Sequence, residues 1–156
     1  MRFAVADDVL LARKAVEKLI LEWDRDSTVC CSCDNGDEVL KVLEDQKVDV
    51  LVTDIRMPVL SGLELIKKVI DEGRSVHFIV ISGYKYFEYA QQAIKYGVED
   101  YLLKPIDEVE LNQILKKIAD TEANREKESR SVDTMVKKLH DSRYICHLYT
   151  SDAADE

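Results

Sequence analysis

No apolar run in the chain approaches the roughly 18 residues needed to cross a bilayer, so no membrane-spanning helix is expected. Nor does a charged-then-apolar leader open it, because strand-like sequence begins almost at Met1. The cytoplasm is therefore the expected compartment. Basic residues are in deficit: 22 Lys and Arg stand against 31 Asp and Glu, a formal charge of -9. Nothing forms a basic stripe, so direct nucleic-acid binding by this chain is not expected. Metal-binding pairs of cysteine and histidine are also missing. Cys30, Cys31 and Cys33 crowd one segment and Cys146 stands apart, with no second pair of ligands near in sequence. Buried structural thiols are the expectation, with Cys31 and Cys33 on one strand face and Cys30 on the other. His77, His140 and His147 form no ligand-like constellation. At 156 residues the chain suits one domain with a real core, and no internal repeat suggests otherwise.

What is present alternates regularly. Phe3–Ala6, Thr28–Cys33, Val48–Thr53, Val76–Ile81 and Glu99–Leu103 are short, mostly apolar or β-branched runs that predict strands. Helical spacing fills the gaps. Val9, Ala12, Val16, Leu19, Ile20 and Trp23 share one face of the first helix, and Val39, Leu40 and Leu43 one face of a short second, Asp37–Glu44. Leu63, Ile66, Val69 and Ile70 mark the third, Phe87, Ala90 and Ile94 the fourth, and Leu111, Ile114, Leu115 and Ile118 the fifth. Gly62 stands at the entrance of the third helix, and Gly73 and Gly97 end the third and fourth, where a left-handed residue is wanted. Five strand–helix units in strict alternation predict an α/β fold with a parallel sheet covered on both faces, and right-handed crossovers leave few topologies.

Polar residues fall in phase with the strands. Asp7 and Asp8 follow the first, Asp54 ends the third, Ser82 ends the fourth, and Lys104, followed by Pro105, ends the fifth. Four strands thus deliver reactive groups to one edge of the sheet, the edge where doubly wound folds bind ligands. Three neighbouring carboxylates repel, and their hard oxygens select Mg²⁺ or Mn²⁺. One carboxylate can then attack phosphorus, while cation and lysine neutralise the transferring oxygens. Each element alone is weak, since paired acids usually open a solvated helix and Lys-Pro is usually a turn; their order and phase make the signal.

With these residues the chain resembles the receiver domains of bacterial two-component response regulators over about Met1–Asp120. The resemblance implies a flavodoxin-like, doubly wound five-stranded parallel sheet in the order 2-1-3-4-5 with five helices. It implies Asp54 as the phosphate acceptor, taking its phosphoryl group from a sensor histidine kinase. Asp8 would bind Mg²⁺ directly, Asp7 through water, and Arg56 through its backbone carbonyl. Ser82 would hydrogen-bond the phosphoryl group, Lys104 would pair with it, and the Lys104–Pro105 bond would be cis. Tyr101 would turn inward on phosphorylation and repack the face of the fourth helix, fifth strand and fifth helix, often used for homodimerisation; without the resemblance it reads as a half-buried strand aromatic. No enzyme acting on a separate substrate is implied. Where the family often has a third acid after the pair, this chain has Val9. Arg56 and Tyr84, two past the acceptor and two past Ser82, are neither amide nor carboxylate, which predicts slow self-dephosphorylation. TDIRMP (53–58), GLELI (62–66), SGYKYFEYA (82–90) and DYLLKPI (100–106) are similar to receivers fused to AraC-type helix-turn-helix output domains.

Other readings fit less well. A phosphatase of the haloacid-dehalogenase kind needs its nucleophile after the first strand with a second acid two residues on, whereas Asp7 and Asp8 are adjacent. A flavin-binding module needs a Gly/Ser/Thr-rich phosphate loop there, and Ala6–Leu10 offers carboxylates instead. A degenerate receiver acting without phosphate, or a stand-alone receiver acting by protein contacts, is the alternative within the family. Past about residue 120 the chain turns charged: 121–145 reads as a helical linker, weakly pairing through Val132, Met135 and Leu139 or simply solvated. Apart from His147, CHLYTSDAADE (146–156) resembles translated sequencing-adapter read-through; on that reading an output domain is missing, the other reading being a short acidic tail.

Overall fold

The structure, a computed structural model, describes residues 1–83 and 87–138, with backbone alone for residues 87 and 129–138. Strand and helix alternate: β1 (Arg2–Ala6), α1 (Leu10–Trp23), β2 (Thr28–Cys33), α2 (Gly36–Asp45), β3 (Val50–Asp54), α3 (Gly62–Asp71), β4 (His77–Ser82), α4 (Phe87–Lys95), β5 (Asp100–Leu103) and α5 (Glu108–Lys138). All strand pairs are parallel, and the order is β2-β1-β3-β4-β5, as predicted. The order reverses between β1 and β3, so the carboxyl ends of these two strands flank the crevice where such sheets take ligands.

Side chains alternate across the sheet with the period of two that a pleated strand imposes. Phe3, Val5, Val50, Val52, Ile79, Ile81 and Leu102 face Val16 and Ile20 of α1 and Leu111, Ile114, Leu115 and Ile118 of α5. Ala4, Ala6, Leu51, Phe78 and Val80 face the other way, toward Val39 and Leu43 of α2, Ile66 and Val69 of α3 and Ala93 of α4. β3 is buried along its whole length. Its Val50–Leu51–Val52 run contributes about 1.5–3 kcal/mol for each large apolar side chain, while Asp54 at its end is a buried carboxylate.

Helix ends follow local chemistry. Asn35 caps α2 by accepting from the Glu38 amide, and Ser61 caps α3 by accepting from the Glu64 amide. Gly73 and Gly97 take the left-handed conformation past α3 and α4, at φ 73° and 75°. α1 differs: its N-cap residue, Val9, makes no capping side-chain bond.

Several expectations need correction. The apolar runs place β3 and β4 too early, because backbone pairing continues into the polar residues that close them; Asp54 pairs with Ile81, and Ser82 with Leu103. Val9 and Ile94, expected on inward faces, are 51% and 72% exposed. Among the described side chains of α4 and the residue after it, Ala93, Tyr89 and Tyr96 pack inward, the tyrosines through ring bodies that are apolar although the residue type is amphipathic. Cys31 and Cys33 do share a buried face, but their sulfurs are joined as a disulfide rather than standing as thiols; Cys30 is free and half-buried.

The chain divides into two units, Met1–Ile118 and Ala119–Glu156. In the second, the described backbone is helical to Lys138, within α5. The expected tail at 146–156, including Cys146 and His147, lies outside the described residues, as do Leu139, His140 and the 139–145 part of the expected linker. Among the described residues no helix is long and apolar enough to cross a membrane.

Candidate functional site

The carboxyl ends of β1, β3, β4 and β5 carry five of the predicted residues. Asp7 leaves β1 buried at 4% exposure, with Asp8 exposed beside it. Asp54 ends β3 at 8% exposure, and Ser82 ends β4 fully buried. Lys104 follows β5, with its amide donating to the Ser82 carbonyl at 2.8 Å. The Lys104–Pro105 peptide is cis. One carboxylate oxygen from each of Asp7, Asp8 and Asp54 lies within 4.8 Å of the other two. A cleft of about 390 Å³ opens there, lined by Asp8, Val9, Asp54, Arg56, Gly83 and Lys104.

Among the described residues, the Lys104 ammonium joins two of these acids, Asp7 and Asp54. Lys104 Nζ donates to Asp7 Oδ2 at 2.7 Å and to Asp54 Oδ2 at 3.2 Å. The remaining oxygens are turned to backbone: Asp54 Oδ1 accepts from the Ile55 amide at 2.7 Å, and Asp7 Oδ1 from the Val9 amide at 2.9 Å. Burial first, and then the charge of Asp7, push the Asp54 carboxyl above its usual range, with Lys104 and the Ile55 amide opposing. Burial works to lower the Lys104 pKa, but the hydrogen bond to Asp7 and the charges of Asp54 and Asp7 outweigh it and hold the ammonium above the usual lysine value. The carboxylates of Asp7, Asp8 and Asp54 together form an acidic centre built from hard oxygens. That donor set fits a small divalent cation such as Mg²⁺.

The other predicted residues take supporting places. Arg56 is exposed at the rim of the cleft. Tyr101 is half-buried on the face of the sheet that α3 and α4 cover. Tyr84 lies outside the described residues.

Sequence reading missed several groups that shape the site. Gly62 was recognised only as a helix entrance, yet a Cβ on it would stand 1.9 Å from the Asp54 carbonyl oxygen. Its amide donates to the Ile55 carbonyl at 2.8 Å, fastening the start of α3 to the residue after Asp54. Thr53, fully buried, donates through Oγ1 to the Asp54 carbonyl at 2.9 Å; its hydroxyl within an apolar strand was the available signal. Arg13, which reaches back to the Asp7 carbonyl, carried no signal of its role.

Comparison with known proteins agrees with this geometry. The response regulator receiver domain family matches residues 3–116, and the chain belongs to that family, the phosphoacceptor class of two-component signalling. The chain is 42% identical over 100 residues to the uncharacterized transcriptional regulatory protein YesN of Bacillus subtilis, covering 64% of this chain and 27% of the relative. It is 30% identical over 141 residues to the sensory transduction protein LytT of Oceanobacillus iheyensis, covering 90% and 57%. Among solved structures, the receiver domain of AraT, a response regulator from Geobacillus stearothermophilus, superposes with a TM-score of 0.72 at 34% identity, covering 80% of this chain and 97% of that one. The chain thus spans less than two thirds of the length of these curated relatives. Receivers of this family interact with sensor histidine kinases.

Proposed function

We propose that Asp54 accepts a phosphoryl group from the phosphohistidine of a sensor kinase and that its phosphorylation switches an output domain absent from this chain. The observation that carries this is the placement of Asp54 beside Asp7, Asp8 and Lys104 at the switch point of the sheet. An Asp54 oxygen attacks phosphorus, the phosphorus–nitrogen bond breaks, and the electron pair leaves with the imidazole. Lys104, already within reach of Asp54, neutralises a phosphoryl oxygen, and Ser82 hydrogen-bonds another. Asp8 and Asp54 would hold Mg²⁺ directly, with Asp7 through water and the Arg56 carbonyl completing its protein ligands; when bound, the ion offsets charge on the transferring oxygens. Mn²⁺ has the same preference for oxygen donors.

New charge at Asp54 draws Ser82 inward and lets Tyr101 follow, repacking α4, β5 and α5. Ile94, Leu103 and Val109 are exposed apolar residues on these elements, which supports pairing of two copies through this face. With Arg56 and Tyr84 at the positions that would orient a hydrolytic water, the phosphorylated state decays slowly. The chain turns over no external substrate; its chemistry is its own phosphorylation and dephosphorylation. We assign 1–120 to the receiver, 121–145 to a helical linker and 146–156 to an adapter-derived tail, the output domain, DNA-binding and of AraC type by motif resemblance, being missing. Localisation is cytoplasmic.

The test is site mapping. After incubation with a small acyl phosphate and Mg²⁺, borohydride reduction of the acyl phosphate followed by peptide mass analysis should convert residue 54 alone. Conversion elsewhere contradicts the assignment, and no conversion favours a receiver that acts without phosphate.

A further inference from the structure

The loop that carries Asp7 and Asp8 is held in an unusual way. α1 has no side-chain cap at Val9 and no acidic residue in its first turn, the two features that ordinarily steady a helix entrance. Instead Arg13 sits near that entrance, where the helix dipole disfavours a cation. Its guanidinium turns back over the loop. Nη1 donates to the Asp7 carbonyl at 2.7 Å, and Nε donates to Ser32 Oγ of β2 at 3.2 Å. On the other side of the same residue, the Asp7 amide donates to the Cys33 carbonyl at 3.1 Å. Both peptide groups of Asp7 are therefore tied to the end of β2, one directly and one through Arg13. The Asp7 side chain is in turn fixed by the Val9 amide and Lys104.

We infer that Arg13 is a positioning residue for the metal-binding acids: by bridging the Asp7 carbonyl to Ser32 it fixes the β1–α1 loop and so sets how tightly the acidic centre takes Mg²⁺. The inference rests on the reading of Asp7, Asp8 and Asp54 as that centre. The planar fork of arginine can reach two acceptors at once; a lysine offers one point charge. Neither Arg13 nor Ser32 is among the proposed cation ligands, so the effect passes through the backbone of Asp7.

The sign of the effect separates positioning from simple charge. If Arg13 were only a nearby cation, removing it would tighten Mg²⁺ binding, because like charges repel. If it positions the loop, removing it weakens binding. Calorimetric titration of Mg²⁺ into the unphosphorylated full chain reads this directly, beside urea unfolding to establish that each variant is folded. Arg13→Ala should raise the Mg²⁺ Kd roughly tenfold, as loss of an outer partner of a metal site does. Arg13→Lys should restore only part of that loss. Ser32→Ala should weaken binding by a smaller factor and add nothing in the Arg13→Ala background, since the bridge acts as a unit. An unchanged or lower Kd in folded Arg13→Ala, with the wild-type chain binding Mg²⁺, overturns the inference alone. No Mg²⁺ binding by the wild-type chain overturns the metal reading and the inference together.

Discussion

Gly62 packs so closely beneath Asp54 that a methyl group on its Cα would lie 1.9 Å from the Asp54 carbonyl oxygen and 2.9 Å from the carbonyl carbon. The obstacle is backbone, which cannot swing aside as a side chain would. The start of α3 is therefore set against the residue that ends β3, and Asp54 is held at its backbone as well as by the Ile55 amide at its carboxylate. Gly62→Ala should cost about 3 kcal/mol, the upper end of overpacking. It should lower the urea midpoint and slow phosphorylation of Asp54 in the fraction that remains folded.

Val59, in the loop between β3 and α3, has φ 70° and is 86% exposed. A β-branched residue in left-handed backbone is strained by roughly 1–2 kcal/mol, and so little burial returns almost nothing. Val59→Asn should stabilise the chain by about 1 kcal/mol. Val59→Gly should stabilise it less, because glycine loses more backbone freedom on folding. A midpoint that falls in both variants would show that the Val59 side chain makes a stabilising contact.

The raised Asp54 carboxyl has a consequence for stability against pH. A carboxyl whose pKa is higher folded than unfolded favours the folded state through its protonated form. That contribution is complete below the ordinary value of 3.8 and is lost as pH rises through the folded value. At neutral pH the ionised Asp54 therefore burdens the fold, and Asp54→Asn should be more stable than wild type there. The advantage should shrink as pH falls through the folded pKa. Urea midpoints of the two proteins from neutral pH down to about pH 4 measure this; a gap that widens on acidification has the wrong sign.

Mg²⁺ should relieve the same repulsion. A ligand that binds only the folded chain stabilises it by about 2.7 kcal/mol at a hundredfold excess over Kd. Thermal unfolding should therefore shift upward with Mg²⁺ in the wild-type chain. In Asp8→Asn the shift should nearly vanish while the Mg²⁺-free midpoint is kept, since Asp8 is exposed. An equal shift in both proteins would place the cation elsewhere.

Much of the molecule was legible because its regular features repeat along the chain. Short apolar runs mark the strands, and the polar residues closing four of the five runs, Asp7, Asp8, Asp54, Ser82 and Lys104, mark the candidate site in the sequence itself. The strand ends were misplaced for the same reason: hydrophobicity stops at Asp54 and Ser82, while sheet pairing does not. What stayed hidden depends on distances between elements. The approach of Gly62 to Asp54, the reach of Arg13 to Asp7 and Ser32, and the left-handed backbone at Val59 follow from register and loop path, which residue type does not encode. In α4 the helical spacing put Ile94 inward, whereas it is exposed and Tyr89 packs inward through its aromatic body.

The most direct test is intact-mass measurement after incubation with a small phosphodonor, with and without Mg²⁺, beside Asp54→Ala. The account predicts a gain of a single phosphoryl group in the wild-type chain that needs Mg²⁺ and is absent from the variant. A folded wild-type chain that gains no mass, or a variant that gains as much, would contradict it.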